Sequence, residues 1–239
     1  SQGETHIAIG THALFQEDVT FENLGMVVVD EQHRFGVHQR MRISAKGQGT
    51  DVLVMTATPI PRTLTLAAYG DMDVSRLTEK PAGRQPIETT LIDVTRIDEV
   101  LAGLKRQIKK KSRIYWVCPL VEESEMLDLA AAEARFEDLK AVFGVRVGIV
   151  HGKMKPTDKD KIMAQFQAGD IELLVSTTVI EVGVNVPEAT IMVIEHAERF
   201  GLAQLHQLRG RVGRGADKSF CILLYRTPLS EIAKARLKI

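Results

Sequence analysis

A short run of apolar residues, Met26 to Val29, is followed directly by two adjacent carboxylates, Asp30 and Glu31. Three of its four residues are valines, and β-branched residues of this kind favour a strand. Because the run has no polar residue on either face of that strand, it is typical of a parallel sheet that is buried on both sides. Ligands of open parallel sheets bind at the carboxyl ends of the strands. The pattern therefore places two acids at the point where such a sheet binds its ligand.

These two carboxylates suit a hydrated cation beside a phosphate group. Mg²⁺ prefers one or two carboxylates together with phosphate oxygens and water, so Asp30 could hold it through water. Glu31 could orient or deprotonate an attacking water molecule. The alternative is that both acids simply end a strand at the surface, and the strand and its two acids do not by themselves decide between the two interpretations.

Similar short apolar runs recur along the chain and alternate with helical patterns, which predicts an α/β fold with a mainly parallel sheet. A strand that ends in a Gly-Thr turn is predicted over residues 6–12. Further strands are predicted over residues 51–55, 114–119, 145–150, 171–175, 191–194 and 220–225, and a new alternation of apolar and polar residues begins at Ile87. Helices are predicted over residues 97–108 and 129–143, and a third helix is predicted to start with a capping box of Thr157 and Asp160.

Proline and glycine cluster among charged residues from Glu79 to Pro86, which indicates a linker. We therefore divide the chain into a first domain over residues 1–82, a second domain over 83–226, and the start of a C-terminal helical extension over 227–239.

Composition narrows the class of protein. Lys plus Arg and Asp plus Glu both number 31, so the net charge is zero and a nucleic-acid site would have to be a local patch. No apolar run approaches the roughly 20 residues that span a membrane. The two cysteines, Cys118 and Cys221, lie inside apolar runs, which predicts buried free thiols in a reducing compartment and hence a cytoplasmic location.

A second chemical signal lies between residues 204 and 215. Three arginines alternate there with three glycines: Arg209, Arg211 and Arg214, and Gly210, Gly213 and Gly215. The planar guanidinium fork binds phosphate oxygens in a bidentate manner. An arginine directed at a transferring phosphoryl group neutralises charge in the transition state and is worth about 10³–10⁵ in rate. The alternative interpretation is a DNA-phosphate patch without catalysis.

Four segments resemble motifs II, III, V and VI of superfamily 2 helicases, in the order in which that family has them. They are Asp30–His33, Thr56–Thr58, Thr177–Val184 and Gln207–Arg214. A fifth segment, Gly10–His12, resembles a DNA-contacting motif of the same family. The residues that flank these motifs are similar to bacterial helicases of branched DNA, and the related transcription-repair coupling translocases share part of them. The resemblance implies two RecA-like parallel-sheet domains.

The resemblance also implies catalytic roles in ATP hydrolysis. Asp30 would hold Mg²⁺, through water, and Glu31 would activate the hydrolytic water. Gln207, Arg211 and Arg214 would face the phosphates of ATP, with Arg214 as the arginine finger.

The remaining motif residues would bind nucleotide and DNA or couple the two. Gln32, His33, Thr56 and Thr58 would link the nucleotide state to the grip on DNA, Thr177 and Thr178 would touch the DNA backbone, and Gly10, Thr11 and His12 would contact DNA from the first domain. Gly183 and Asn185 would lie at the nucleotide. The family usually has aspartate in place of Asn185, and an amide oxygen accepts a hydrogen bond from ribose more weakly than a carboxylate does.

One motif of the family, the phosphate-binding loop G-x-x-x-x-G-K-[ST], does not occur in these 239 residues. The resemblance therefore implies that the first RecA-like domain is incomplete, and that the chain is the motor portion of an ATP-dependent helicase or translocase for forks and Holliday junctions. We expect the chain alone to be inactive as an ATPase and to self-associate through an exposed edge strand over residues 52–55. The alternative is a module that has lost catalysis and only holds DNA or a protein.

Overall fold

The computed structural model describes residues 5–16, 18–30, 49–56, 73–79, 84–119, 125–177, 186–215 and 217–237. The chain forms two compact units, Ser1–Ser75 and Arg76–Ile239. The predicted domain boundary after Ala82 falls at residues 80–83, which lie outside the described residues, so its exact position stays a prediction.

The described part of the first unit contains a short 3₁₀ helix, His12–Phe15, and two strands, β1 (Met26–Val29) and β2 (Asp51–Val54). The two strands pair in parallel, with Val27 beside Val52 and Val29 beside Val54. Of the described hydrophobic residues of this unit, only Val29 is buried. The strand predicted over residues 6–12 is wrong, because residues 7–10 pair with no described strand and Ile9 is 94% exposed.

The second unit is built on a parallel sheet. In the described residues its strands are β3 (Ile87–Asp93), β4 (Arg113–Val117), β5 (Val147–Val150), β6 (Leu173–Ser176), β7 (Ala189–Ile194) and β8 (Ser219–Tyr225). They lie in the order β3-β8-β7-β4-β6-β5, and all of their pairings are parallel. The prediction of an α/β fold with a parallel sheet is confirmed.

Helices cover both faces of this sheet. They are α1 (Ile97–Ile108), α2 (Glu125–Phe143), α3 (Pro156–Ala168), α4 (Leu202–Arg209) and α5 (Glu231–Leu237), with short 3₁₀ helices at Val94–Arg96, Gly144–Arg146 and Ala197–Arg199. Side chains of β4 alternate between two cores: Trp116 packs with residues of α1 and α2, and Tyr115 packs with residues of α3, α4 and α5. The continuous apolar runs seen in the sequence are thus strands buried on both faces.

One helix agrees with the sequence-based prediction, and the start of another differs from it. The helix α1 has the predicted bounds and buries Val100, Leu104 and Ile108 along one stripe. The predicted capping box at the start of α3 is wrong, because Pro156 occupies the first turn and Lys155 is the N-cap, without a side-chain capping bond. Proline suits that place because its missing N–H would have no helical partner there.

Both cysteines are buried and free, as predicted. Burial raises the pKa of the Cys221 thiol to about 12, so this thiol is protonated at neutral pH. None of the described helices is long and apolar enough to cross a membrane.

A buried ion pair ties α2 to the carboxyl end of β7. Glu195 directly follows β7 and is 6% exposed. The guanidinium of Arg135 donates to its carboxylate twice, from Nη2 to Oε1 at 2.5 Å and from Nε to Oε2 at 2.9 Å, and the indole Nε1 of Trp116 donates to Oε2 at 2.9 Å. Burial by itself would raise the pKa of Glu195, but the hydrogen bonds and charge of Arg135 outweigh it and hold that pKa below its ordinary value.

We predict that Glu195→Gln lowers the free energy of unfolding of the second unit by about 2–3 kcal/mol at pH 7, because Arg135 loses its charged partner. A carboxyl group whose pKa is lowered in the folded state stabilises the fold above its unfolded pKa and loses that contribution as the pH falls through the folded pKa. The unfolding free energy of the wild-type chain should therefore decrease below pH 4.5, and that of Glu195→Gln should decrease less.

Urea unfolding followed by the fluorescence of Trp116, the only tryptophan of the chain, measures this difference directly. Glu99→Gln is the matched control, because Glu99 pairs with Arg96 on an exposed helix surface and such pairs contribute about 1 kcal/mol or less. Equal destabilisation by the two substitutions would contradict the role of Glu195.

Candidate functional site

The carboxyl ends of β1 and β2 carry the first group of predicted site residues. Asp30 follows β1 directly, and the backbone N–H of Met55 donates to the carbonyl of Val29 at 2.8 Å, which keeps the two chains side by side as they leave the sheet. Asp30 and Thr56 therefore leave neighbouring strands at the same edge, and both are exposed. The other predicted residues of this group, Glu31, Gln32, His33 and Thr58, lie outside the described residues.

The donor chemistry at this edge fits Mg²⁺. A carboxylate oxygen and a hydroxyl oxygen are hard ligands of the type that Mg²⁺ takes, with water and phosphate oxygens completing its shell. Among the residues that the structure describes, no group of three or more His, Cys, Asp or Glu side chains is arranged to hold a metal by protein ligands alone.

The segment Gly10–His12 leads into the 3₁₀ helix of the first unit. Thr11 is the N-cap of that helix, and its hydroxyl accepts from the backbone N–H of Ala13 at 3.5 Å. Gly10 and Thr11 are exposed. A Cβ at Gly10 would meet Cγ of Leu14 at 2.9 Å, so glycine has a packing reason at this position.

In the second unit the arginine-rich segment lies at the amino ends of the strands. We call residues 210–215 the arginine loop. The chain leaves β7 at its carboxyl end, returns along α4, and reaches this loop before it enters β8. A Cβ at Gly213 would meet Ile87, the first residue of β3, at 2.9 Å and Ser219, the first residue of β8, at 3.6 Å. The loop is therefore packed against the amino edge of the sheet.

Helix α4 and the arginine loop bury one side in the core and leave the other side partly or fully exposed to solvent. Leu205, Leu208 and Val212 are buried in the core that contains Tyr115. Gln207 and Arg211 are half-buried, and Arg214 is exposed. The spacing of three and four residues between the buried side chains fixes which face of the segment is polar. The three predicted residues of this group are thus carried by one continuous, anchored element.

Glycine is needed at two positions of the arginine loop for structural reasons that the sequence interpretation missed. Gly213 has φ of +72°, a left-handed conformation that glycine adopts without strain, and lies against Ile87. A Cβ at Gly215 would lie 3.0 Å from the carbonyl oxygen of Pro187. These glycines allow the loop to approach the sheet closely, independently of any phosphate.

The positive charges of the arginine loop lower the pKa of a buried tyrosine relative to the effect of burial alone. Burial raises the pKa of the Tyr115 phenol to about 12, and the positive charges of Arg214, Arg211 and Arg113 oppose that rise, in decreasing order. Cations that stabilise a phenolate also stabilise other anions placed near them. The amino edge of this sheet is thus an electrostatically suitable place for an anion.

Thr177 lies at the opposite, carboxyl edge of the same sheet. It directly follows β6 and is 3% exposed. Beside it the N–H of Cys118 donates to the carbonyl of Ser176 at 2.8 Å, and the N–H of Glu195 donates to that of Val117 at 2.9 Å. The strand β6 has four residues, so the two edges are separated by about 13 Å. Thr178, Gly183 and Asn185 lie outside the described residues.

Two arginines that the sequence interpretation did not single out hold the backbone around α4. Arg236 of α5 donates to the carbonyls of Phe200 at 2.9 Å and Glu198 at 3.1 Å, just before α4. Arg84 donates to the carbonyls of Gly213 at 3.0 Å and Gly210 at 3.4 Å, in the arginine loop. Neither contact has a signal in the sequence, because each joins residues more than 30 positions apart without a recognisable spacing.

Comparisons with protein families agree with this arrangement. Residues 94–216 match the model of the helicase conserved C-terminal domain, and residues 1–66 match that of the DEAD/DEAH box helicases. Arg84 and Arg236 lie outside both matched segments.

Curated relatives are similar along the whole chain. It is 54% identical to the ATP-dependent DNA helicase RecG of Acidithiobacillus ferridurans over 238 residues, covering 99% of this chain and 35% of that protein. The same comparison with RecG of Bacillus subtilis (strain 168) gives 52% identity over 239 residues, 99% of this chain and 35% of that protein. The chain thus spans about a third of the length of these relatives.

Solved structures show the same fold. A structure of RecG bound to a three-way DNA junction superposes with a TM-score of 0.73 and 45% identity, covering 96% of this chain and 30% of that one. Dbp5 of S. cerevisiae bound to RNA and ADP BeF3 superposes with a TM-score of 0.66 at 16% identity, covering 95% and 59%, and supports the fold alone.

The predicted resemblance to superfamily 2 helicases with RecA-like domains is confirmed by these matches. The match to the conserved C-terminal helicase domain spans just over half of the residues of this chain. The chain therefore belongs to the helicase family, and the whole length of the chain is similar to part of RecG.

Proposed function

We propose that the natural polypeptide containing this chain is an ATP-dependent DNA helicase or translocase that acts on branched DNA such as forks and Holliday junctions. The observation that carries the proposal is the arginine loop. Gln207, Arg211 and Arg214 lie on one anchored segment at one edge of a parallel sheet, in a chain 54% identical to a RecG helicase. A segment with this polar face suits the phosphates of ATP better than it suits a purely structural role.

The proposed roles divide between the two units. Asp30 would hold Mg²⁺ through water, and that ion would neutralise charge on the β- and γ-phosphates. Glu31 would orient and deprotonate the attacking water. Arg211 and Arg214 would stabilise the charge that develops on the transferring phosphoryl group, with Arg214 as the finger and Gln207 beside them. Asn185 and Gly183 would contact the nucleotide.

The contacts with DNA are proposed at the motif residues of the two units. Thr177, at the carboxyl end of β6, and Thr178 would contact the DNA backbone, as would Gly10, Thr11 and His12 in the first unit. Hydroxyls and backbone N–H groups are common partners of DNA phosphates. Thr56 and Thr58, with Gln32 and His33, would couple the nucleotide state to the grip on DNA.

We predict that residues 1–239 alone do not hydrolyse ATP, whereas the full natural polypeptide does. The chain contains no phosphate-binding loop to cradle the β- and γ-phosphates, and positioning carries most of the catalysis of phosphoryl transfer. A phosphate-release assay with and without forked DNA measures this, with Glu31→Gln as the blank. DNA-stimulated release by residues 1–239 above that blank would contradict the prediction.

In the full polypeptide, Arg214→Ala should lower turnover by about 10³-fold or more while Mg²⁺-ATP still binds. Arg96→Ala is the matched control, because Arg96 is an exposed arginine whose guanidinium pairs with Glu99. DNA binding without ATP hydrolysis in the full polypeptide would instead support a binding module that has lost catalysis.

We further propose that residues 1–239 self-associate through the first unit. Among the described residues β2 pairs with β1 on one side and with no strand on the other. Leu53 within β2 is 45% exposed, and Met55 directly after β2 is 40% exposed. Apolar edge strands of this kind pair with other chains, and a lysine on the edge prevents it.

Light scattering should therefore give a mass above that of one chain, and Leu53→Lys should restore the mass of a monomer. Val74→Lys is the control, because Val74 is an exposed apolar residue of the same unit outside its strands. A monomeric wild-type chain at high concentration would overturn this proposal.

A further inference from the structure

Arg84 contacts the two peptide groups that lead into the arginines of the loop. Its Nε donates to the carbonyl oxygen of Gly213 at 3.0 Å, and its Nη2 donates to that of Gly210 at 3.4 Å. The carbonyl of Gly210 belongs to the peptide bond with Arg211, and the carbonyl of Gly213 belongs to the peptide bond with Arg214. One guanidinium therefore constrains the backbone directly before each of the two arginines.

The chemistry of this contact requires arginine. A guanidinium is planar and presents donors in fixed directions, so it can bind two carbonyls with one rigid group. A lysine ammonium is a compact charge on a flexible stem and does not fix two acceptors in the same way. Arg84 is also itself a cation near Arg211 and Arg214, so its place there is explained by the carbonyls it binds and not by charge attraction.

A second, apolar contact from the same segment supports the loop. Ile87 lies three residues after Arg84, and its Cγ1 is so close to Gly213 that a Cβ there would lie 2.9 Å from it. Gly213 is buried and has φ of +72°. The segment 84–87 thus holds the loop by hydrogen bonds to Gly210 and Gly213 and by packing against Gly213.

We propose that Arg84 is a positioning residue for ATP hydrolysis, which directs Arg211 and Arg214 toward the phosphates by fixing the backbone before each of them. This proposal rests on the proposed function. Arg84 does not touch the nucleotide; it acts through the two peptide groups. Catalysis by a charged side chain depends steeply on its position, and a displacement of about 1 Å can cost roughly 100-fold in rate.

The first experiment measures the loop itself in residues 1–239. Amide hydrogen exchange of residues 211–214 should be at least about tenfold faster in Arg84→Met, while the amides of β7 and β8 keep their wild-type rates. Arg96→Met is the matched control and should change none of these rates, because Arg96 binds the carboxylate of Glu99 on the surface of α1. Unchanged exchange in the loop, or faster exchange throughout the unit, would overturn the proposal.

The second experiment separates kcat from KM in the full natural polypeptide. In Arg84→Met the kcat of DNA-stimulated ATP hydrolysis should fall at least about tenfold, with the KM for ATP changed less than about threefold. This is expected because Arg211 and Arg214 lose their orientation toward the phosphates while ATP still binds. Arg84→Lys, which keeps the charge and most of the side chain, should recover only a small part of kcat and decides the question if Arg84→Met does not fold. Wild-type kcat in Arg84→Lys would overturn the proposal.

Arg214→Ala distinguishes failure of the proposed function from failure of the positioning role of Arg84. If Arg214→Ala is inactive and Arg84→Met has wild-type kcat, the proposed function stands and the role of Arg84 is refuted. If Arg214→Ala retains full activity, the proposed role of the arginine loop fails, and the positioning role of Arg84 in hydrolysis fails with it.

Discussion

The parallel pairing of the six described strands of the second unit constrains where its functional side chains can lie. Every connection in such a sheet must return the chain from the carboxyl edge to the amino edge. Between β7 and β8 this return is made by α4, eight residues or about 12 Å of helix, which is anchored by Leu205 and Leu208. The arginine loop follows from that connection, because it is the turn in which the returning chain meets the amino edge.

The same constraint separates the two kinds of chemistry that we propose. Thr177 extends from the carboxyl end of β6, and Arg211 and Arg214 lie at the amino ends of β3 and β8. A helicase must let a change at the phosphates alter its grip on DNA. In this unit a sheet with buried strands joins the two edges, and the ion pair of Glu195 and Arg135 ties α2 to the carboxyl edge. Small shifts are transmitted well by such close-packed elements.

Local patterns predicted much of the fold, and long-range contacts explain what they missed. Apolar runs located β4 to β8, and periodicity gave the bounds of α1. The predicted strand over residues 6–12 fails because a strand needs a partner that local sequence cannot supply. The motif residues were predicted from resemblance, and their roles stay predictions. Arg84 and Arg135 could not be predicted, because their partners are 129 and 60 positions away.

We propose above all that the arginine loop contacts the triphosphate of ATP. The most direct measurement is an NMR titration of residues 1–239 with a non-hydrolysable ATP analogue and Mg²⁺, with AMP as the control. We predict shifts of the Arg211 and Arg214 side-chain N–H signals and of the Gly213 amide, with the amides of Thr177 and Cys118 unchanged and with little effect of AMP. Shifts confined to the carboxyl edge, or equal shifts with AMP, would contradict the account.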